Sequence, residues 1–299
     1  MVTDHSNIQE GWSGGKAFLI AAIASAVGVG NIWRFPYMAA ENGGGSFILL
    51  TIIGVLFFGI PLMILEFLVG SKIKKTPVSL FKELLGKNYL IVYIPLILMF
   101  ILASYYMVVT GWTLAYLIFS LFGSEIPFSE FSVTNYSLYS TLAVILLIFI
   151  ILKMGIHNGL ERINRYLVPA FIVSLIILTF GAISIFGVDD ALAYYTHLDW
   201  NFISNPTTWV LAFSQAFFSL GVGWCIMLTY SAYLKKKVDI VLSSFVVSIV
   251  DTSIALVACL MIFSLAFGYG IPMDSGPSLA FEALPKALHS LPFAEIALP

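Results

Sequence analysis

The sequence predicts an all-α polytopic membrane protein, and three observations carry that prediction. Of its 299 residues, 60% are hydrophobic and only 10% charged, whereas a soluble domain has roughly a quarter of its residues charged. Apolar runs near 16–40, 46–70, 89–122, 137–153, 165–187, 207–233 and 240–269 are each long enough to cross about 30 Å of hydrocarbon. Lysine and arginine fall almost entirely in alternate connections between these runs.

The first run is interrupted at Ala26-Val27-Gly28-Val29-Gly30-Asn31, with Arg34 within one turn of the break. Glycine costs about 1 kcal/mol relative to alanine in a helix interior. In lipid, every freed backbone group also needs another partner. Gly43-Gly44-Gly45 then reads as a tight outer turn rather than a phosphate loop, because no Lys-Ser/Thr follows. The second run carries Glu66, and the third is long enough to tilt strongly or project beyond the membrane. The sixth is interrupted at Ser219-Leu220-Gly221-Val222-Gly223, and the seventh holds Asp251 a third of the way along. Paired broken helices in an apolar chain are the sequence mark of a transporter binding site. The tail from 270, with Pro272, Pro277, Pro285, Pro292 and Pro299, reads as an extracellular loop. It ends without a capped or polar finish, so a fragment is expected.

Charge sets the orientation. Lys16, Lys72, Lys74, Lys75, Lys82, Lys87, Lys153, Arg162, Arg165 and Lys235-Lys236-Lys237 share one side, twelve of the fourteen basic residues. The other connections hold Glu41, Glu125, Glu130, Asp189, Asp190 and Asp199 without Lys or Arg. The basic side is cytoplasmic, which places the N-terminus inside and Lys286 outside. The first fifteen residues lack a signal peptide's basic start and cleavage site. Cys225 and Cys259 lie in apolar runs and imply no disulfide framework.

Polar residues within spans are functional candidates by default. Asn31 offers a side-chain carbonyl to a cation or caps a half-helix. Arg34 forms an outer gate or reaches the headgroups. Glu66 is a proton relay or accepts hydrogen bonds from amides freed by an unwound helix, and the second role fits better. Asp251 must face the interior near a cation, or stay protonated. Tyr105, Tyr106, Phe217 and Phe218 are packing residues unless a break lies beside them. At the break itself, the half-helix starting near Asn31 presents its positive dipole end, and the half ending near Ala26 presents free carbonyls. Such a site suits a zwitterion with Na⁺, a hard cation that favours oxygen ligands. No enzyme motif competes: there is no P-loop, no GxSxG, and His5, His157, His197 and His289 lie in tails or connections.

The run Gly28-Val29-Gly30-Asn31-Ile32-Trp33-Arg34-Phe35-Pro36, continuing into Glu41-Asn42-Gly43-Gly44-Gly45, resembles the signature of the neurotransmitter:sodium symporter family. The bacterial and archaeal amino-acid transporters are the branch it is most similar to. Gly59-Ile60-Pro61-Leu62 with Glu66, Tyr105-Tyr106 with Gly111-Trp112, Gln215 to Leu220, and Thr229 to Tyr233 also match. The resemblance implies an inverted-repeat transporter fold with discontinuous first and sixth helices, truncated after the seventh of about twelve spans. Residues 1–15 would be a cytoplasmic tail, 16–187 a first five-helix repeat, 188–269 the start of a second, and 270–299 an extracellular loop.

The resemblance further implies a first sodium site of the Ala26 carbonyl, Asn31, Ser219, Asp251 and the substrate carboxylate. A second would use the carbonyls of Ala24 and Val27, with its other ligands beyond the chain. Substrate would lie against Ala26, Gly28, Val29 and Gly30, with its carboxylate held by Tyr106. Phe218 would join Tyr106 as a lid, and Ser219, Gly221 and Trp224 would shape the side-chain pocket. Arg34 would be the outer gate, its acidic partner lying beyond residue 299. Three departures stand out. The inner-gate arginine expected three residues before Trp12 is Gln9, so that gate must lean on Trp12 and Tyr233. Asp251 replaces an asparagine. The position that helps bind chloride in other members is Ala255. The expected function is Na⁺-coupled, chloride-independent symport of a neutral amino acid by a multi-pass cell-membrane protein, with lipid but no nucleic acid as partner. A non-transporting amino-acid sensor and an ion-uncoupled facilitator are the alternatives, and residues 1–299 alone are not expected to transport.

Overall fold

The computed structural model describes residues 11–122, 126, 128–131 and 134–273, and their regular elements are all helical. Gln9, Glu125, Lys286, Pro277, Pro285, Pro292 and Pro299 lie outside the described residues, as do most of the two tails.

Helices α1 (Gly15–Ala26) and α2 (Val29–Glu41) form one span bent by 47°. Helix α3 (Gly45–Ile73) contains a π-helical turn at Val55–Gly59. Pro61 follows at the start of the next α-helical stretch, where its missing N–H would leave a carbonyl of the preceding turn unpaired; the π-turn absorbs that gap. Helix α4 (Pro77–Leu85) is capped by Thr76, whose hydroxyl accepts from the Ser79 amide at 3.4 Å. Helix α5 (Tyr93–Leu121) starts later than the expected 89 because Gly86–Val92 winds as a 3-10 helix. Helices α6 (Asn135–Lys153) and α7 (Arg162–Phe186) flank a second π-helical turn at Ile156–Glu161.

Short helices α8 (Asp189–Thr196) and α9 (Trp200–Ile203) fold over the glycine turn. Ser46 ties them down, its hydroxyl accepting from the Asp199 amide at 2.8 Å. The expected sixth span becomes α10 (Pro206–Leu220) and α11 (Ile226–Ala232), separated by Gly221–Cys225. Neither half is long enough to cross alone. Among the described residues, five helices are long and apolar enough to cross a membrane, or six with α1 and α2 as one span.

Helix α12 (Ile240–Tyr269) is the central post, half of its apolar core buried within the protein, against 6% for α5 and α6. On its inner side Phe18 of α1 meets Phe67 of α3 edge-on, ring centroids 5.0 Å apart. On its other flanks α12 buries Ile254, Ala258 and Ile262 among residues of α2 and α7. Helices α5 and α6 pack mainly on each other, so their outer flanks are free for lipid.

Candidate functional site

Both breaks end at the same place. The Gly28 amide, which in an unbroken helix would cap the Ala24 carbonyl, donates instead to Asn31 Oδ1 at 2.9 Å. The last carbonyls of α1, including those of Ala24 and Ala26, are therefore left without their intrahelical donors. Asn31 Nδ2 in turn donates to Asp251 Oδ1 at 2.8 Å. Asp251 Oδ2 accepts from Ser219 Oγ at 2.7 Å. Asp251 is 1% exposed, and the described ion pairs leave it without a cationic partner. A buried carboxylate with only neutral donors is costly unless a cation joins it. Oxygens of Asn31, Ser219, Asp251 and the α1 carbonyls are the donor set a sodium ion prefers.

Glu66 sits behind the second break. Its Oε1 accepts from the Gly223 amide at 2.6 Å and its Oε2 from the Leu228 amide at 3.1 Å. These are amides that helix α11 and its approach leave without intrahelical partners. Gly221 ends α10 in the left-handed region at φ 66°, a conformation that favours glycine.

A cavity of about 300 Å³ lies between the breaks and α5. Ala26, Gly28, Gly30, Asn31, Tyr106, Phe218, Ser219 and Gly221 line it. Val29 and Trp224 do not: Val29 packs with the Trp33 cluster, and Trp224 is half-buried in the Gly221–Cys225 turn. Met99, Leu102, Ala103 and Met107 of α5, with Ile226 of α11, supply apolar wall instead. These were not singled out in the sequence, where one apolar residue in a long apolar run looks like any other.

Two rings line one side of the cavity. Tyr106 and Phe218 have centroids 6.0 Å apart, and the Arg34 guanidinium lies 4.5 Å over Phe218. Arg34 also donates to Gln215 Oε1, so its partners here come from α10. Trp12, just ahead of α1, is 2% exposed. Its indole N–H donates to the Tyr230 carbonyl at 2.8 Å, and its amide to the Tyr233 carbonyl at 3.1 Å. Glu161 and Ser13 are polar residues near Trp12 that sequence reasoning passed over, and Gln215 was matched only as part of a motif. For Glu161 a signal existed, since it is an acid inside an otherwise basic inner connection.

Two interrupted helices meeting at buried side-chain oxygens, beside an apolar cavity, define a broken-helix membrane protein. The comparisons narrow the class. The profile of the Sodium:neurotransmitter symporter family matches residues 9–138 and 128–297. An uncharacterised sodium-dependent transporter of Methanocaldococcus jannaschii is 36% identical, over 96% of this chain and 63% of its own length. The Bacillus subtilis protein YhdH, also an uncharacterised sodium-dependent transporter, is 29% identical over 95% of this chain and 66% of its own. The crystal structure of MhsT in complex with L-phenylalanine superposes with a TM-score of 0.90 at 31% identity. That match covers 97% of this chain and 68% of MhsT. The chain belongs to the sodium:neurotransmitter symporter family, and it spans about two thirds of the length of these relatives.

Proposed function

We propose that the chain forms the site-bearing part of a sodium-coupled symporter for neutral amino acids in the cell membrane, with residues 16–187 and 188–269 as the first repeat and the start of the second. The observation that carries this reading is the buried Asn31–Asp251–Ser219 constellation, which adjoins the cavity and surrounds a carboxylate with neutral donors only. Na⁺ enters as cargo. It is held first by the Ala26 carbonyl, Asn31, Ser219 and Asp251, and the carbonyls of Ala24 and Val27 contribute to a second site.

The substrate carboxylate completes the first site and takes a hydrogen bond from Tyr106, while the side chain lies in the apolar cavity. Gly28 leaves room for that carboxylate, where amine transporters of the family carry an aspartate. L-phenylalanine bound to MhsT supports an amino acid as the class. Trp12 and Tyr233 close the inner side, and Tyr106, Phe218 and Arg34 close the outer side.

The test is uptake of labelled neutral amino acids by the full-length protein in proteoliposomes. An inward Na⁺ gradient should drive accumulation, and replacing Na⁺ with K⁺ should stop it. Binding without uptake would indicate a sensor, and uptake indifferent to Na⁺ a facilitator.

A further inference from the structure

One buried carboxylate ties the chain entering α1 to the cytoplasmic end of α7. Glu161 closes the π-helical turn before α7. Its side chain is 2% exposed, while its neighbours His157 and Arg165 are 63% and 58% exposed. Glu161 Oε2 accepts from the Ser13 amide at 3.1 Å, and Oε1 accepts from Ser13 Oγ. Arg165 Nη2 donates to Oε1 at 3.1 Å, and His157 Nδ1 lies 3.2 Å from Oε2. Ser13 is the residue directly after Trp12, whose indole and amide seal the inner side against α11 and Tyr233.

We propose that Glu161 is the latch of the inner closure, a positioning residue that holds Ser13 and through it keeps Trp12 seated. The proposal rests on the transport reading for its purpose, though its geometry does not need it. Two hydrogen bonds to an ionised, buried acceptor are stronger than neutral ones. They can also be released. Ser13 is solvent-exposed, so water can replace Glu161 as its partner. Glu161 keeps Arg165 and His157 when Ser13 leaves, so no charge is stranded. Loss of the Ser13 bonds frees the inner end of α1 and opens a cytoplasmic path to the cavity.

The experiment uses the full-length protein with Cys225 and Cys259 replaced by alanine and a reporter, Ala22→Cys, on the buried face of α1, where Ala22 is 0% exposed. Inside-out vesicles in Na⁺ are labelled with a membrane-impermeant maleimide. Glu161→Gln should raise the labelling rate about tenfold and Ser13→Ala about threefold. The double variant should go no further than Glu161→Gln, because the two changes remove one shared interaction. Arg165→Ala should change the rate less than about twofold. The latch is overturned if Ser13→Ala and Glu161→Gln both label at the background rate. It is equally overturned if Arg165→Ala matches Glu161→Gln while Ser13→Ala is silent, since that pattern describes a support for α7 alone. Ser13→Ala removes one exposed hydroxyl and does not endanger folding, so the test survives a poorly expressed Glu161 variant. Background labelling that ignores the exchange of Na⁺ for K⁺ would count against the transport reading, and the comparison between variants would still decide the latch.

Discussion

Asp251 concentrates the chemistry of the site in one carboxylate that neighbours no lysine or arginine among the described ion pairs. Beside it a second space of about 10 Å³ is lined by Thr51, Gln215, Ser219, Thr252 and Ala255. That is about the room one water needs, and Ala255 offers no hydroxyl to an anion. Our reading therefore has Asp251 provide the fixed negative charge that a bound chloride provides elsewhere in the family. Uptake by the full-length protein should be unchanged when gluconate replaces chloride. The paired substitution Asp251→Asn with Ala255→Ser should make uptake chloride-dependent, and a wild type that stalls in gluconate would refute the assignment. Gly30 supplies a second residue-level prediction. A Cβ there would stand 2.8 Å from the Tyr106 hydroxyl and 3.5 Å from the Phe218 ring. Gly30→Ala should push the lid outward and weaken amino-acid binding about tenfold or more, as read by equilibrium binding of labelled ligand.

At the scale of helices, the two breaks were legible because paired glycines in an apolar run contradict the pattern around them. The partners across each break were less so. Glu66 stood out as a lone acid, yet spacing does not tell which amides it accepts from, since Gly223 and Leu228 are 157 and 162 positions away. Val29 and Trp224 show the limit from the other side. Val29 follows the first break and Trp224 lies within the second, where the 3.6-residue register that assigns faces is lost, and neither lines the cavity. Glu161 was hidden for another reason: the positive-inside argument counts lysine and arginine, so an acid in a basic connection passes as noise. The support given by Glu66 can be measured. In Glu66→Gln one carboxylate oxygen becomes an NH₂ facing an amide N–H, leaving a buried donor against a donor. The loss should be about 3 kcal/mol, seen as a lower thermal unfolding midpoint of the solubilised protein. An unchanged midpoint would remove Glu66 from the support of the second break.

For the whole molecule, the proposed reading makes the first sodium site and the cavity one compartment that the substrate completes. An amine without a carboxylate brings no negative charge to the ion, and Gly28 contributes none. Tryptamine and tyramine should therefore fail to displace bound amino acid from the full-length protein, even at concentrations where tryptophan and tyrosine succeed. Displacement by amine and parent alike would mean that the ion needs no substrate carboxylate beside Asp251. The Glu66 attachment also has a mechanical consequence. Helices α3 and α11 are riveted through a carboxylate on two amides, and the Ser231 hydroxyl adds a third link to the Glu66 carbonyl at 3.3 Å. Trp12 fastens α1 to the same α11. Whatever torque swings the second break must carry α3 with it as one lever arm, and it reaches the start of α1 through Trp12.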